Sequence, residues 1–476
     1  MFFGRKDELK KLNMLLKKKT ASLVIVRGRR RIGKSTLIQE LGKRFDFFCE
    51  IQGLAPRDDI SDADQRKNFS EQMKNIFDIP AVILENWNDA FAHLSSHTRI
   101  GKNLVLLDEI SWMSGNDSDF PGKLKIAWDT RFKKNDQLVL VLCGSASSWI
   151  DKNILKDTDF VGRISLEINL EELPLSDCNK FWQNKKMISS MEKLKLLSVT
   201  GGVPKYLEEI NIKESAEENI KRICFDKGGI LVSEFEKIFN DIFDKRAKIY
   251  KSIVNVLAKQ SCSVSEIAAL TGRPRNGDIS EYLNDLEVSG FINRDYVYNF
   301  KGRQSRLSKY RIKDNYLRFY LKYMDPIKDK IEKGLFRYTG IESLPGWSAI
   351  IALQFENLVL HNISSVIKCI GIDFNSIVSA SPYFQNHTRT NKGACQIDLL
   401  IQTKFNTIYL CEIKFQKKIK RNVVNEIEKK MAILKRPKNT SIRPVLIYEG
   451  DISESVLKSD CFDKVIYFGD LLAECS

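Results

Sequence analysis

The chain of 476 residues is long enough for roughly three domains of about 150 residues each, and its 43% hydrophobic content is sufficient for packed cores. The formal charge of +15 favours a polyanionic partner, either nucleic acid or nucleotide phosphates. The ten cysteines form no Cys-x-x-Cys pair, which indicates neither a zinc knuckle nor a disulfide framework. With no signal-peptide core and no run of the ~18 apolar residues that a membrane span needs, we expect a cytoplasmic protein without membrane contact.

The first motif is a glycine-rich loop between an apolar, strand-like run at 24–26 and a helical pattern. It fits the P-loop pattern Gly-x-x-x-x-Gly-Lys-Ser through the residues Gly28, Arg29, Arg30, Arg31, Ile32, Gly33, Lys34, Ser35 and Thr36. Backbone N–H groups of such a loop, together with the following helix N-terminus, bind phosphate oxygens. We therefore expect ATP here, with Lys34 on its β and γ phosphates and the Ser35 hydroxyl on Mg²⁺.

The second motif is a buried strand at 103–107 that ends in two carboxylates, Asp108 and Glu109. An acidic pair of this kind is often only a solvated strand end. After an upstream P-loop, however, it matches the Walker B pattern. Asp108 is then expected to hold the Mg²⁺ shell, and Glu109 to orient or polarise the attacking water.

A third core strand, predicted at 138–143, is followed by a serine-rich segment. In P-loop ATPases with a strand inserted between the two Walker strands, a polar residue here senses the γ-phosphate, so Ser145 and Ser147 are candidates; a simple turn is the alternative. Farther along, Arg163 precedes an alternating apolar run. It is either an arginine finger that neutralises transition-state charge or a surface arginine at the start of a strand.

Several short motifs together resemble the archaeal-type ATPase family, a branch of the AAA+/STAND group of P-loop ATPases. They are Phe3-Gly4-Arg5, the P-loop, Leu107-Asp108-Glu109, Gly144-Ser145, Gly162-Arg163 and Gly201-Gly202-Val203-Pro204-Lys205-Tyr206-Leu207. The resemblance covers about the first half of the chain. It implies a RecA-like ATPase domain at 1–175 and a helical lid at 176–245, with Pro204 approaching the nucleotide. AAA+ relatives often assemble so that an arginine reaches the neighbouring site, so the resemblance allows a homo-oligomer but leaves the oligomeric state open.

The segment 246–325 has the pattern of three short helices followed by a two-stranded hairpin, which predicts a winged helix. Its third helix is acidic and suits a DNA major groove poorly. The basic residues of the hairpin are Arg294, Lys301, Arg303, Arg306, Lys309, Arg311 and Lys313. Contacts between this wing and DNA phosphates are therefore expected rather than base reading, with a winged helix used for intramolecular or protein contacts as the alternative.

The C-terminal segment, 326–476, contains a second candidate site. Asp398 lies on one predicted strand, and Glu412 and Lys414 share a face of the next, because residues two apart on a strand point the same way. Two carboxylates can hold a divalent metal, and a lysine beside them can position water that attacks a phosphodiester. The alternative is a charged strand pair on a solvated sheet face.

This arrangement resembles the PD-(D/E)XK nuclease superfamily, and archaeal-type ATPases commonly carry such a C-terminal domain. The resemblance implies that Asp398, Glu412 and Lys414 occupy the three core positions, with Glu356 as a helical acid and Asp398, Glu412 and Glu356 as metal ligands. Ile397 stands where the motif has its proline.

The expected fold is thus an α/β multidomain chain: a RecA-like P-loop ATPase with helical lid, a winged helix, and a C-terminal restriction-endonuclease-like α/β domain. The first functional hypothesis is a Mg²⁺-dependent ATPase whose nucleotide state controls a winged-helix and nuclease-like module acting on DNA. The alternative is a STAND-like signalling or scaffold ATPase switch whose C-terminal domain binds without cleaving.

Overall fold

The computed structural model describes residues 2–57, 59–145, 147–182, 188–243, 246–275, 277–385 and 393–473. The chain forms two compact units. The first comprises Met1–Glu171, Lys237–Ala247 and Asn284–Gly290, and the second comprises Glu172–Glu236, Lys248–Leu283 and Phe291–Ser476.

The first unit is built on a five-stranded parallel sheet with helices between its strands. In chain order its elements are α1 (Lys6–Leu15), β1 (Ser22–Gly28), α2 (Lys34–Gly42), β2 (Phe47–Gln52), α3 (Asp62–Phe77), α4 (Trp87–His97), β3 (Asn103–Asp108), α5 (Ile110–Ser114), α6 (Phe120–Thr130), β4 (Val139–Gly144), α7 (Ser147–Ile150) and β5 (Ile164–Leu170). The strand order is β2-β3-β4-β1-β5, and every pairing is parallel. A parallel sheet of this kind agrees with the predicted P-loop ATPase fold.

Both faces of this sheet are buried, which explains why its central strands read as continuous apolar runs. Alternate residues of β1 point to opposite sides: Leu23 and Ile25 pack in the core that contains Trp87 and Phe91 of α4. The residues between them, beginning with Val24, pack in a second core together with residues of α1 and α2. The apolar strands therefore fix the sheet, and the polar motifs lie where the strands end.

The segment that follows the first sheet contains helices and a two-stranded hairpin. The elements are α8 (Leu175–Asn179), α9 (Ser190–Thr200), α10 (Pro204–Glu208), α11 (Ala216–Ile220), α12 (Glu234–Phe243), α13 (Ala247–Lys259), α14 (Val264–Leu270), α15 (Gly277–Val288), β6 (Ile292–Tyr298) and β7 (Gln304–Ile312). Strands β6 and β7 are antiparallel, with Ile292 opposite Ile312. Ser263 caps α14 through a capping box with Glu266, as the sequence pattern predicts.

The remaining elements include the strands of a second five-stranded sheet. They are α16 (Asn315–Phe319), α17 (Lys328–Glu332), α18 (Trp347–His361), α19 (Ile363–Ile370), β8 (Ile377–Gln385), β9 (Cys395–Thr403), β10 (Thr407–Ile419), α20 (Asn422–Ile433), β11 (Ser441–Ile452), α21 (Glu454–Leu457), β12 (Lys464–Tyr467) and α22 (Phe468–Ala473). The strand order is β12-β11-β10-β9-β8. Strands β8, β9 and β10 form an antiparallel meander, and β10, β11 and β12 are parallel, so the sheet is mixed.

Among the described residues, no single helix has both the length and the apolar composition to cross a membrane. The bent pair Trp347–His361 and Ile363–Ile370, whose axes differ by 75°, meets that criterion only when its two helices are taken together. Cys369 in α19 is disulfide-bonded, which the cysteine spacing did not indicate.

Candidate functional site

The predicted nucleotide site lies at the carboxyl ends of three adjacent strands. The P-loop follows β1, Glu109 follows β3, and Ser145 follows β4, and these strands are neighbours in the order β3-β4-β1. Because parallel strands end at the same edge of a sheet, these groups converge there although they are far apart in the sequence. This edge is the usual ligand position in open α/β sheets.

The P-loop backbone has left-handed conformations that its residue types largely accommodate. Gly33 has a φ of 87° and Gly28 a φ of 146°, whereas Arg31 has a φ of 71° with a side chain present. A Cβ atom on Gly28 would lie 2.4 Å from the carbonyl oxygen of Leu170, so glycine is required there by space as well as by conformation.

Lys34 folds back across the loop that it follows. Its Nζ donates to the carbonyl oxygens of Gly28 at 3.1 Å and Arg29 at 3.2 Å, and to Ser145 Oγ at 2.9 Å. The Ser145 hydroxyl and backbone N–H donate to the two carboxylate oxygens of Glu109 at 2.7 and 3.0 Å. Lys34, Ser145 and Glu109 thus form one buried hydrogen-bonded group.

The predicted magnesium ligands also lie together. Ser35 Oγ donates to Asp108 Oδ2 at 2.6 Å, and Asp108 Oδ1 accepts the backbone N–H of Glu109 at 3.0 Å. A hydroxyl and a carboxylate in contact supply the oxygen donors that Mg²⁺ prefers. Glu109 has a φ of 50°, an uncommon backbone conformation of the kind that concentrates at functional sites.

Arg5 is a supporting residue whose role the sequence pattern did not reveal. It is 5% exposed, and its guanidinium Nη2 donates to the carbonyl oxygens of Ile32 in the P-loop at 3.0 Å and Glu171 after β5 at 2.7 Å. One side chain therefore joins the loop to the end of a neighbouring strand. Its only sequence signal was membership of the Phe3-Gly4-Arg5 motif.

The remaining loop residues are held by the surrounding protein. Arg29 is 4% exposed, Ile32 is buried, and Arg30 forms an ion pair with Asp241 while its guanidinium lies 5.9 Å from the ring centroid of Trp112. Thr36 is the third residue of α2 and follows the predicted phosphate and metal contacts. Within the loop, Ile32 therefore packs in the core and Arg30 forms an ion pair.

Arg163 lies away from this group. It immediately precedes β5, whose first residue, Ile164, is paired with Leu23 near the amino end of β1. Arg163 therefore lies at the amino-terminal ends of the strands, whereas the P-loop lies at their carboxyl ends. Its guanidinium bonds both carboxylate oxygens of Asp129, at 2.7 Å from Nη2 and 3.1 Å from Nε. The hydrogen bonds to Asp129 raise the pKa of Arg163. Within one chain this arginine is a partly exposed ion-pair residue.

Two other predicted nucleotide residues are placed only in part. Pro204 is the first residue of α10, in the second compact unit. Ser147 begins α7, and its side chain lies outside the described part of the chain. Ser145 is therefore the predicted sensor serine for which the structure gives contacts.

The second predicted site is a cavity of about 690 Å³ beside the C-terminal sheet. The residues that line it include the four predicted on β9, β10 and α18: Glu356, Asp398, Glu412 and Lys414. The pairing of β9 with β10 ends at Leu399 opposite Cys411, so Asp398 and Glu412 are the next residues on each strand. The register brings them together, and α18 adds Glu356.

The carboxylate of Glu412 is 1% exposed and is held by two lysines. Lys414 Nζ lies 2.9 Å from Oε1, and Lys430 Nζ on α20 lies 2.6 Å from Oε2. Lys414 also bonds Glu426 at 2.8 Å. Sequence reasoning missed Lys430; the Glu426 and Lys430 spacing of four in a basic helical stretch was the available signal.

Burial and neighbouring charges act on the acids of the cavity. Burial, with the nearby charges of Glu412 and Glu356, raises the pKa of Asp398 to about 8, although the backbone N–H of Ile413 donates to Asp398 Oδ2 at 2.8 Å. Burial likewise raises the pKa of Glu356, against the opposing charges of two arginines. Carboxylates that lose hydration in this way are typical of metal or catalytic sites.

The predicted wing divides into an exposed tip and a packed base. Lys301, Arg303 and Arg306 are exposed. Arg311 instead is 8% exposed, donates to Asp295 Oδ2 at 2.8 Å, and bonds Asn357 of α18. The expectation that Arg311 contacts DNA phosphate is therefore wrong, because its charge is taken up inside the fold.

Two more basic residues of the hairpin lie against aromatic rings. Arg294 lies over the rings of Tyr296 and Tyr310 at 4.6 and 5.3 Å, and Lys309 over Phe384 of β8 at 5.2 Å. These contacts match the intramolecular alternative for the base of the wing.

Comparisons with known proteins agree with the geometry of the nucleotide site. Residues 2–210 match the family model described as an ATPase domain predominantly from Archaea. The uncharacterized protein MJECL04 of Methanocaldococcus jannaschii is 24% identical over 363 residues, which is 75% of this chain and 76% of that protein.

Two solved structures are also similar in part. A Walker-type ATPase of Pyrococcus abyssi is 17% identical, with a TM-score of 0.48 over 67% of this chain and 96% of that one. The ORC2 protein of Aeropyrum pernix, solved with ADPNP and ADP, is 14% identical, with a TM-score of 0.41 over 70% of this chain and 95% of that one. The family match and the Walker motifs together show that residues 2–210 are similar to an ATPase domain found predominantly in Archaea.

Proposed function

We propose that this protein is a Mg²⁺-dependent ATPase whose nucleotide state controls a winged-helix and nuclease-like module that acts on DNA. The observation that carries the proposal is the cavity of the second unit, which collects Glu356, Asp398, Glu412 and Lys414 in the same chain as a P-loop ATPase domain. Acids and a lysine gathered in one cavity form the usual arrangement for metal-assisted phosphodiester hydrolysis.

In the nucleotide site, the contact between Ser35 and Asp108 fits a magnesium ion, because both side chains offer oxygen atoms at the end of the P-loop. Ser35 and Asp108 would hold the Mg²⁺, which would supply positive charge against the charge that develops on the phosphates. Lys34 would leave the carbonyl oxygens of the loop for phosphate oxygens. Ser145 would sense the γ-phosphate. Glu109 would then lose its hydrogen bonds to Ser145 and orient the attacking water.

Helices α13, α14 and α15 and the β6–β7 hairpin would form the winged helix. The order of helix, antiparallel meander, crossover helix α20 and parallel strand resembles the PD-(D/E)XK nuclease core. Asp398 and Glu412 fit a divalent cation because both residues line the cavity and the carboxylate of Glu412 already contacts two ammonium groups. Asp398 and Glu412 would hold the metal, which would supply Lewis-acid chemistry, and Lys414 would position the attacking water.

The proposed DNA contacts use residues that are free to reach a backbone. At the tip of the wing these are the exposed Lys301, Arg303 and Arg306. Near the end of β10 and the start of α20 the basic residues are Lys417, Lys418, Lys420 and Arg421. Contacts of this type are sequence-independent, so binding is expected to weaken as salt is raised.

The test is cleavage of labelled single- and double-stranded DNA with Mg²⁺ or Mn²⁺, with and without ATP. The native protein is compared with Asp398→Asn and with Asp463→Asn, a matched control at an exposed acid that pairs with Arg443. Cleavage lost in Asp398→Asn and retained in Asp463→Asn supports the nuclease. Dependence of that cleavage on ATP supports control by the P-loop domain, and cleavage that persists in Asp398→Asn contradicts the proposed site.

One observation favours the STAND-like switch as a second candidate. Within the described residues, no three His, Cys, Asp or Glu side chains are grouped closely enough to hold a metal ion. Salt-sensitive DNA binding without cleavage, in a protein that hydrolyses ATP, would support this reading and make the second unit a binding module.

A further inference from the structure

Lys430 is a cation in direct contact with a predicted metal ligand. Its Nζ lies 2.6 Å from Glu412 Oε2, and both residues line the cavity that also contains Asp398. The positive charge of Lys430 acts on Asp398 as well, where it opposes the rise in the pKa of that acid. The ammonium group of Lys430 thus pairs with Glu412 inside the cavity, which is an electrostatic role that a divalent cation would also have there.

The two lysines on Glu412 are anchored differently. Lys414 bonds Glu412 at 2.9 Å and Glu426 at 2.8 Å, so it keeps a carboxylate partner if it leaves Glu412. Lys430 contacts Glu412 alone among the carboxylates of the described residues, and it extends from α20 rather than from the strand that bears Glu412. Lys430 is thus the lysine that can withdraw without breaking a second ion pair.

Burial explains why such a counter-ion is needed. Glu412 is 1% exposed, and an ionised carboxylate at that depth is costly unless it is paired. A site that held only acids would have its ligands protonated or repelling one another before a metal arrived.

We propose that Lys430 is a resident counter-ion of this site: it keeps the buried carboxylate of Glu412 paired and in place in the metal-free protein and gives up that carboxylate oxygen when a divalent cation binds. Lys430 is accordingly a positioning residue that competes with the metal. The inference rests on the proposed function, since it takes Asp398 and Glu412 as the metal ligands.

The test measures Mn²⁺ affinity of the nucleotide-free, full-length protein in alkaline buffer by titration calorimetry. The Lys430→Gln variant is expected to bind Mn²⁺ about tenfold more tightly, because the metal no longer displaces a charge-assisted hydrogen bond. Lys430→Arg keeps the charge and should retain native affinity. Lys429→Gln is the matched control, because Lys429 is an exposed lysine on the same helix that also lines the cavity.

A second measurement uses the native protein and does not depend on a variant folding. Amine acylation followed by mass spectrometry reports how accessible each lysine is. Addition of Mn²⁺ is expected to increase acylation of Lys430 severalfold and to leave Lys429 unchanged. The inference is overturned if Lys430→Gln binds Mn²⁺ no more tightly than Lys429→Gln, or if Mn²⁺ leaves the reactivity of Lys430 unchanged.

The Asp398→Asn variant separates this result from failure of the proposed function. If no protein binds Mn²⁺ in a manner that depends on Asp398, the proposed metal site itself fails. If such binding exists and removal of the Lys430 charge does not strengthen it, only the counter-ion role fails.

Discussion

Ser145 holds the carboxylate of Glu109 at both oxygens, through its hydroxyl at 2.7 Å and its backbone N–H at 3.0 Å. The same hydroxyl accepts a hydrogen bond from Lys34 at 2.9 Å. In this state the acid that is proposed to orient water and the lysine that is proposed to bind phosphate are both engaged by one serine. Binding of the γ-phosphate would exchange these contacts for contacts to the nucleotide.

The Ser145→Ala variant tests this arrangement. We expect its kcat for ATP hydrolysis to fall by about tenfold, the size of one lost hydrogen bond to a charged group, with nucleotide affinity within about threefold of native. The measurement is steady-state hydrolysis combined with nucleotide titration. Ser114→Ala, at a buried serine whose hydroxyl bonds Ser111, is the control. An unchanged kcat would show that the serine has no part in turnover.

Arg5→Ala is expected to weaken ATP binding and to lower the thermal midpoint. The lost guanidinium leaves the buried carbonyl oxygen of Ile32 without its charged donor and loosens the P-loop from the strand end at Glu171. Fluorescent-nucleotide titration and thermal unfolding measure the two effects. Arg131→Ala, at an exposed arginine of the same domain, should change neither. Native affinity in Arg5→Ala would contradict the supporting role.

Gly28→Ala should destabilise the first unit by about 1–3 kcal/mol, the usual cost of a strained backbone position. The added Cβ would meet the carbonyl oxygen of Leu170 at 2.4 Å, at a φ of 146°. Gly122→Ala is the comparison, because nothing lies within 4 Å of a Cβ placed there in α6. Thermal unfolding of both variants should show a loss confined to Gly28→Ala, and equal stability of the two would refute the steric argument.

Arg163 is testable as an arginine finger that acts between chains. Neither Lys34→Ala nor Arg163→Ala alone should hydrolyse ATP well, since one lacks the phosphate lysine and the other the charge that neutralises the transition state. A mixture of the two is expected to recover hydrolysis, because some interfaces then contain both native residues. Asp129→Ala releases the ion pair and should retain activity. Full activity of Arg163→Ala, or a mixture without recovery, would leave Arg163 as a surface ion-pair residue.

The raised pKa of Asp398 predicts a change in stability with pH. Burial and the charges of Glu412 and Glu356 raise this pKa from 3.8 to about 8, so the folded state binds the proton more tightly. The stabilising contribution of the proton is complete below pH 3.8 and is lost as the pH rises through about 8. Relative to the native protein, Asp398→Asn should therefore gain thermal stability as the pH rises across this interval. The measurement is made with a chelator present, and a difference between Asp398→Asn and the native protein that stays constant with pH would contradict the pKa shift.

Local pattern was sufficient to predict the nucleotide site. The strand, the loop and the helix around Lys34 are consecutive in the sequence. A buried strand that ends in Asp108 and Glu109, downstream of a P-loop, matches the Walker B pattern. The prediction that Glu412 and Lys414 lie together also came from a local pattern, because strand alternation puts residues two apart on one face. In both cases the signal lies within a few consecutive residues.

The tertiary structure decided which distant groups meet these motifs. Strand order placed Ser145 between Lys34 and Glu109. The buried guanidinium of Arg5 joined the P-loop to Glu171, which is distant in sequence and follows the neighbouring strand β5. The packing of α20 on its sheet brought Lys430 into contact with Glu412. The packing of the hairpin buried Arg311, which had been predicted to contact DNA phosphates. A sequence pattern states residue type and spacing, whereas burial and contact between elements far apart along the chain depend on how those elements pack.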